Sequence, residues 1–97
     1  MRTSIFAYRG YGVEPMAVTL LYFAALRDLV GIHEERVQLP ANVTTIAHFV
    51  SWLGVRYPVL KTHLAAVRVA RNEAFANDDE VLANDDTLAL IPPVAGG

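Results

Sequence analysis

The chain contains no cysteine. It therefore forms no disulfide bond, binds no metal through thiolates and uses no cysteine nucleophile. Its lysines and arginines are scattered and the net charge is -2, which argues against a nucleic-acid partner. No apolar stretch approaches the roughly 18–20 residues needed to span a membrane, and the N-terminus lacks the pattern of a signal peptide. These absences predict a cytoplasmic protein with no nucleic-acid partner and no membrane partner.

Apolar residues make up 54% of the chain and charged residues 19%, a composition typical of a folded domain. With 97 residues the chain is long enough for one domain with a well-packed core. Residues 1–15 mix Gly, Tyr and Arg without periodicity, and we interpret them as an N-terminal tail. We expect the domain to cover residues 16–93 and residues 94–97 to form a flexible C-terminal tail.

Two strands and a short helix are predicted in the first half of the domain. "AVTLLYF" (17–23) is continuously apolar, which favours a strand covered on both faces. "AALRDLVG" (24–31) has apolar residues at helical spacing and ends on a glycine, which predicts a helix. "HEERVQLP" (33–40) alternates between apolar and polar residues, so it predicts a strand with one solvated face.

The main helix is predicted within "ANVTTIAHFVSWLGVRYP" (41–58). Thr44 or Thr45 is placed to cap its N-terminus, and Pro58 requires it to end. One apolar stripe follows the helical period. The stripe consists of Ile46, Phe49, Val50 and Leu53.

The last part of the domain predicts three further strands. They lie in "AAVRVARN" (65–72), in the start of "EAFANDDEV" (73–81) and in "TLALIP" (87–92). The first and last strands of the chain are the most apolar, so we expect them to lie side by side in the centre of a mixed sheet. A mixed sheet of this kind with one main helix packed across it is the β-grasp, or ubiquitin-like, fold of the α+β class.

The side chains offer no convincing catalytic or metal site. His33, His48 and His63 fall on different predicted elements without a ligand spacing such as H-x-x-x-H, so we predict no bound metal. The acidic clusters at 78–80 and 85–86 stand where turns are needed, and we interpret them as turn residues.

The chain ends on "PPVAGG" (92–97), and this ending has the most chemical content. Glycine has no Cβ, so a diglycine can pass through a channel too narrow for other residues. The carboxylate of Gly97 is also open to attack the α-phosphate of ATP, giving an acyl-adenylate that can pass its acyl group to a sulfur donor or an amine. Two prolines stiffen the base of the tail. Gly97 is thus the predicted reactive residue. The segment predicted to insert into a partner consists of Pro93, Val94, Ala95 and Gly96.

Two segments carry a family resemblance: "VTLLYFAALRDLVG" (18–31) and "TLALIPPVAGG" (87–97). With them the chain resembles the MoaD family, the small sulfur-carrier subunits of molybdopterin synthase. Asn72 also matches a recurrent asparagine of that family. The turn at 84–87 departs from the usual Asp-Gly-Asp-Glu pattern, because Asp85 replaces the glycine. We therefore expect a positive φ at Asp85, which aspartate tolerates better than most residues.

The resemblance implies a sulfur-carrier cycle. An E1-like adenylyltransferase similar to MoeB would activate Gly97 with ATP, and a sulfur donor would convert it to a thiocarboxylate. The tail would then enter the large subunit, MoaE, and give its sulfur to precursor Z (cyclic pyranopterin monophosphate) during molybdopterin synthesis. The active site would belong to the large subunit, so this chain is implied to be a sulfur-donating subunit that binds no cofactor itself.

Partner binding requires a surface, and Phe75 and Ile91 flank the part of the sheet from which the tail leaves. We expect them to form an apolar docking patch shared by the activating enzyme and the large subunit. The alternative, that both are ordinary core residues, stays open at this point.

Three other functions also stay open. The chain resembles, more weakly, the ThiS sulfur carriers of the thiamin pathway, which are shorter and generally lack the first helix. It is also similar to ubiquitin-like modifiers that are conjugated to lysines through their terminal glycine. The last alternative is a β-grasp interaction module whose glycines are incidental.

Overall fold

The computed structural model describes residues 16–93. The predicted tails, residues 1–15 and 94–97, lie outside the described residues, so their assignment stays a prediction. The regular elements are β1 (Met16–Tyr22), α1 (Ala24–Val30), β2 (Glu34–Leu39), α2 (Ile46–Arg56), β3 (Arg68–Arg71), β4 (Ala74–Phe75) and β5 (Thr87–Ile91). Two short 3-10 turns, Pro58–Leu60 and Leu64–Ala66, connect α2 to β3. Every strand and helix expected from the sequence is present, in the expected order.

The five strands form one mixed sheet with the order β2-β1-β5-β3-β4. β1 and β5 are parallel neighbours at its centre, with Thr19 opposite Thr87 and Tyr22 opposite Leu90. The other neighbouring strands are antiparallel. The prediction that the first and last strands lie side by side is therefore confirmed, and the fold is the β-grasp.

α2 begins and ends where its local sequence requires. The side-chain oxygen of Thr45 accepts a hydrogen bond from the backbone N–H of His48 at 3.2 Å, so Thr45 is the cap. The helix ends at Arg56, two residues before Pro58. Its apolar stripe lies against the sheet, where three of its members are almost completely buried: Ile46, Phe49 and Leu53. Val50 packs against the core from its edge.

The core lies between one face of the sheet and the helices. From β1 and β5 it takes Val18, Leu20, Tyr22, Leu88 and Leu90, each at most 2% exposed. Complete burial of a side chain such as leucine contributes about 1.5–3 kcal/mol. The two central strands therefore supply much of the apolar contact that stabilises the domain.

The prediction that β1 is covered on both faces is wrong for the described residues. Its buried residues alternate with half-buried ones, Ala17, Thr19 and Leu21, which lie on the opposite face. β5 shows the same alternation. The β1 segment reads as a continuous apolar run because the residues on its second face are also largely apolar. Within residues 16–93, that second face is only partly covered. This outer face of the sheet is the surface from which the candidate site is built.

Candidate functional site

A row of apolar side chains crosses the outer face of the sheet. The strand registers place Leu21, Ala89, Ala70 and Phe75 opposite one another on four adjacent strands. Because residues that face each other in a ladder project on the same side of the sheet, these four lie together. With Phe23 and Ile91 they line a depression of about 590 Å³, whose polar rim is formed by Asn72, Glu73 and Thr87. We call this depression the outer groove.

The aromatic residues of the outer groove face solvent in the isolated chain. Phe75 is 55% exposed and Phe23 is 45% exposed, while Ile91 is half-buried. Phe75 is therefore not a core residue, and the structure brings it into one groove with Ile91. An apolar depression with exposed aromatic rings is typical of a surface that another protein covers.

Phe23 was missed by the sequence analysis, which assigned it to the first strand and did not treat it as a surface residue. It directly follows β1 and stands two residues after Leu21. The two-residue period of a strand, extended by one step, would have placed it on the outer face. The sequence signal was therefore present, but the continuous apolar run obscured it.

The base of the C-terminal tail adjoins the outer groove. Ile91 is the last residue of β5 and lines the groove. Because β5 is a central strand, the chain leaves the sheet from its middle rather than from an edge. Pro92 is half-buried and Pro93 is exposed. The other predicted site residues, Val94, Ala95, Gly96 and Gly97, lie outside the described residues.

A buried carboxylate secures the hairpin that carries Phe75. Asp86 is 4% exposed. It accepts hydrogen bonds from Arg71 Nε at 2.7 Å, Asn72 Nδ2 at 2.9 Å and the backbone N–H of Ala83 at 2.8 Å. Burial by itself would raise the pKa of Asp86, but these hydrogen bonds and the charge of Arg71 lower it below its ordinary value. Asp86 is therefore a structural anion.

Asn72 links the β3–β4 turn to the first residue of β5. Its backbone N–H donates to the Thr87 carbonyl at 2.8 Å, and its side-chain oxygen accepts from the Thr87 N–H at 2.9 Å. Asn72 and Glu73 have φ angles of 52° and 73°, as a tight hairpin turn of this kind requires. These contacts give a physical reason for an asparagine at this position. The positive φ expected at Asp85 is also confirmed, at 69°.

A second polar cluster joins α2 to the sheet on the core side. The carboxylate of Glu35 accepts hydrogen bonds from the hydroxyls of Tyr22 and Tyr57, both at 2.7 Å, and from Arg56 at 3.1 Å. Burial by itself would raise the pKa of Glu35, but these donors lower it. Burial and the bond to Glu35 raise the pKa of Tyr22. The cluster fastens the C-terminal end of α2 and takes no part in the outer groove.

No metal centre is formed within residues 16–93, where no three His, Asp or Glu side chains are grouped as ligands. His48 lies at the start of α2, with its ring Nδ1 3.1 Å from the hydroxyl of Thr44. In the same part of the chain, no helix has the length and apolar character needed to cross a membrane.

Comparisons with known proteins identify relatives over the same residues. The model of the ThiS family matches residues 20–97. The molybdopterin synthase sulfur carrier subunit of Mycobacterium tuberculosis is 37% identical over 81 residues, which cover 82% of this chain and 96% of that protein. Solved structures with a similar fold include the following two. Small archaeal modifier protein 1 of Haloferax volcanii has a TM-score of 0.71 at 26% identity, with 81% of this chain and 99% of that chain covered. The other is a complex of subunits 1 and 2 of the molybdopterin-converting factor of Helicobacter pylori, with a TM-score of 0.59 at 25% identity and coverage of 84% and 100%.

Proposed function

Since this chain belongs to the ThiS family and to its molybdopterin synthase sulfur carrier subunits, we propose that it carries sulfur for molybdopterin synthesis. The observation that carries the proposal is the extent of the match. It runs through the last residue, Gly97, and the Mycobacterium tuberculosis relative is matched over 96% of its length. A fold likeness alone would not support a function, because the β-grasp serves several.

In this proposal the reactive group is the carboxyl group of Gly97. Its oxygen attacks the α-phosphate of ATP on an E1-like adenylyltransferase, and pyrophosphate leaves. Hydrosulfide released by a sulfur donor then attacks the carbonyl carbon of the acyl-adenylate and displaces AMP, so a C–S bond replaces the C–O bond to AMP and a thiocarboxylate remains on Gly97. The absence of cysteine fits this scheme, because the sulfur is held on the terminal carbonyl carbon and no thiol of the chain competes for it.

The partner on which the sulfur is transferred is the large subunit of the synthase. The Helicobacter pylori structure is a complex of two subunits, and its similarity to this chain supports a two-subunit assembly here. The large subunit would bind precursor Z and supply the catalytic groups. This chain would bind no cofactor, and ATP would be bound by the activating enzyme. The tail segment from Pro93 to Gly96 would enter the large subunit.

The outer groove is the surface we assign to partner docking. Phe75, Phe23 and Ile91 lie on it, next to the point where the tail leaves the sheet. Covering two exposed aromatic rings removes a large apolar area from water, which is the usual source of affinity at such a surface. The groove and the tail would then act together, since docking brings the tail to the partner's active site.

The test is to reconstitute the synthase from this chain, its large subunit, an activating enzyme, ATP and a sulfur source. Deletion of Gly97 should abolish sulfur transfer to precursor Z, while the folded domain and its binding to the large subunit persist. The control is Asp79→Asn, an exposed position outside the outer groove, which should retain full activity. Sulfur transfer by the Gly97 deletion would refute the proposal.

A second function is favoured by one observation, the similarity to small archaeal modifier protein 1. If this chain also modifies proteins, the activated Gly97 carboxyl forms an isopeptide bond with a lysine of a target. Mass spectrometry of trypsin-digested conjugates would then identify branched peptides in which residues 72–97 are attached to a target lysine, because no lysine or arginine follows Arg71 in this chain. Both functions require Gly97, so only the acceptor of the activated carboxyl group distinguishes them.

A further inference from the structure

Arg68 lies at the point where the outer groove meets the base of the tail. It is the first residue of β3, and the sheet register places it opposite Ile91, the last residue of β5. Its side chain is exposed. The central carbon of its guanidinium is 3.8 Å from the centroid of the Phe75 ring, so the cation lies over the ring face. Arg68 therefore covers one of the exposed aromatic residues of the docking surface.

The guanidinium of Arg68 has no carboxylate partner within residues 16–93. The ion pairs of this part of the chain are formed by Arg36, Arg56 and Arg71. An arginine stacked on an aromatic ring keeps the N–H donors in its plane available, and these match the two oxygens of a carboxylate. The Phe75 ring also limits the motion of the side chain, which reduces the entropy lost when a partner binds.

The polarity of the outer groove is asymmetric along its length. Arg68, which lies over the Phe75 ring and opposite Ile91, supplies a positive charge beside the tail end of the groove. Glu73 supplies a negative charge on the rim at the β3–β4 turn. The apolar side chains between these two charges do not by themselves favour one orientation of a docked partner over another. Opposite charges at the two ends can fix the orientation in which a partner docks.

From these contacts we infer that Arg68 determines docking specificity by pairing with a carboxylate of the large subunit beside the opening that receives the tail. The inference rests on the proposed function, because it takes the large subunit as the partner. Docking would cover Phe75 and Ile91 and exclude water around the pair, which strengthens the attraction between its charges. The pair would hold the base of the tail in line with the opening.

The test measures the dissociation constant of the full chain with the large subunit from the same organism, at low and at high salt. Arg68→Gln should weaken binding about fivefold at low salt, and Arg68→Glu by at least about tenfold, with much of the change in the association rate. Arg68→Lys should fall between wild type and Arg68→Gln, because lysine keeps the charge but not the bidentate geometry. Each of these differences should shrink at high salt.

The matched control is Lys61→Gln, which removes one positive charge beside Gly54 of α2, on the core side of the sheet. It should change the dissociation constant by less than about twofold. A second measurement identifies the carboxylate: replacing it by lysine in the large subunit should restore binding of the Arg68→Glu variant. Circular dichroism and thermal unfolding establish that each variant is folded.

Two results would overturn the inference, and they are distinguishable. If wild type binds the large subunit and Arg68→Glu binds within about twofold of it at low salt, Arg68 has no part in specificity. If wild type itself does not bind the large subunit, the proposed function fails and the inference fails with it.

Discussion

Asp86→Asn is expected to destabilise the protein although it changes only one side-chain atom. The carboxylate is 5% exposed and accepts three hydrogen bonds of 2.7–2.9 Å. Asparagine has no negative charge to pair with Arg71. Its NH₂ group is itself a donor, and it would face at least one of the N–H groups that donate to the carboxylate in the wild type. Loss of a charge-assisted hydrogen bond, with a donor left unsatisfied, costs about 2–3 kcal/mol. Arg71 is 28% exposed, so the larger penalty of a fully buried pair does not apply.

Urea unfolding followed by circular dichroism measures this loss as a change in the free energy of unfolding. For a domain of this size a loss of about 2–3 kcal/mol corresponds to a fall in Tm of about 8–24 °C. The neighbouring Asp85→Asn is the control, since Asp85 is 66% exposed and pairs with Arg36, which is 53% exposed. Its effect should stay below about 1 kcal/mol. If the Asp86→Asn variant is within about 0.5 kcal/mol of wild type, the hydrogen bonds of Asp86 do not stabilise the fold as described.

The pH dependence of the same comparison has a definite sign. The pKa of Asp86 is lower in the folded state than its ordinary value. Its contribution to the free energy of unfolding is therefore fully present above the unfolded pKa of about 3.9, and it is lost as the pH falls through the folded value. The difference in stability between wild type and Asp86→Asn should be constant near neutral pH and should shrink below about pH 4.

Three further predictions concern the core, the docking surface and the second polar cluster. Phe49→Ala should lower the free energy of unfolding by about 3–5 kcal/mol in urea titrations, because its ring is completely buried. Phe75→Ala should cost less than about 1 kcal/mol of stability, yet it and Ile91→Ala should each weaken large-subunit binding by about tenfold in calorimetry. Unchanged affinity in folded variants would remove the outer groove as the docking surface. Glu35→Gln should destabilise the protein near neutral pH, and acid titration of its unfolding should show the difference from wild type shrinking below about pH 4.3, because the pKa of Glu35 is lowered in the folded state.

Most of the fold could be predicted because its signals are local. The Thr45 cap and Pro58 marked the ends of α2, and the helical period of its stripe marked the face that is buried. The pairing of β1 with β5 followed from their apolar content. The positive φ of Asp85 followed from turn chemistry alone. For the helix and the turn, the deciding residues lie within a few positions of one another. The pairing of β1 with β5 could be predicted from composition although the two strands lie at opposite ends of the domain.

The polar clusters could not be predicted because their members are distant in sequence. Asp86 was correctly assigned to a turn, but its burial depends on Arg71 and Asn72, which are 15 and 14 residues away. Glu35 meets its two tyrosine partners across 13 and 22 residues. A single sequence contains no signal for such contacts, because any of several acidic residues has the right chemistry.

The outer groove was also predicted only in part, but distance in sequence is not the reason. Phe75 and Ile91 were selected because they flank the tail, and the structure places them on one surface. The apolar run of β1 was interpreted as burial on both faces within the domain. A face covered by its own chain and a face covered by a partner have the same composition, so the sequence alone cannot separate them.

Sulfur chemistry at Gly97 can be observed as a change in the intact mass of the chain after incubation with an activating enzyme, ATP and a sulfur source. We expect one oxygen to be replaced by sulfur, fragmentation to locate the change at Gly97, and omission of ATP to prevent it. A mass that stays unchanged while the same enzymes convert a known carrier would contradict the account, and so would sulfur found on any other residue.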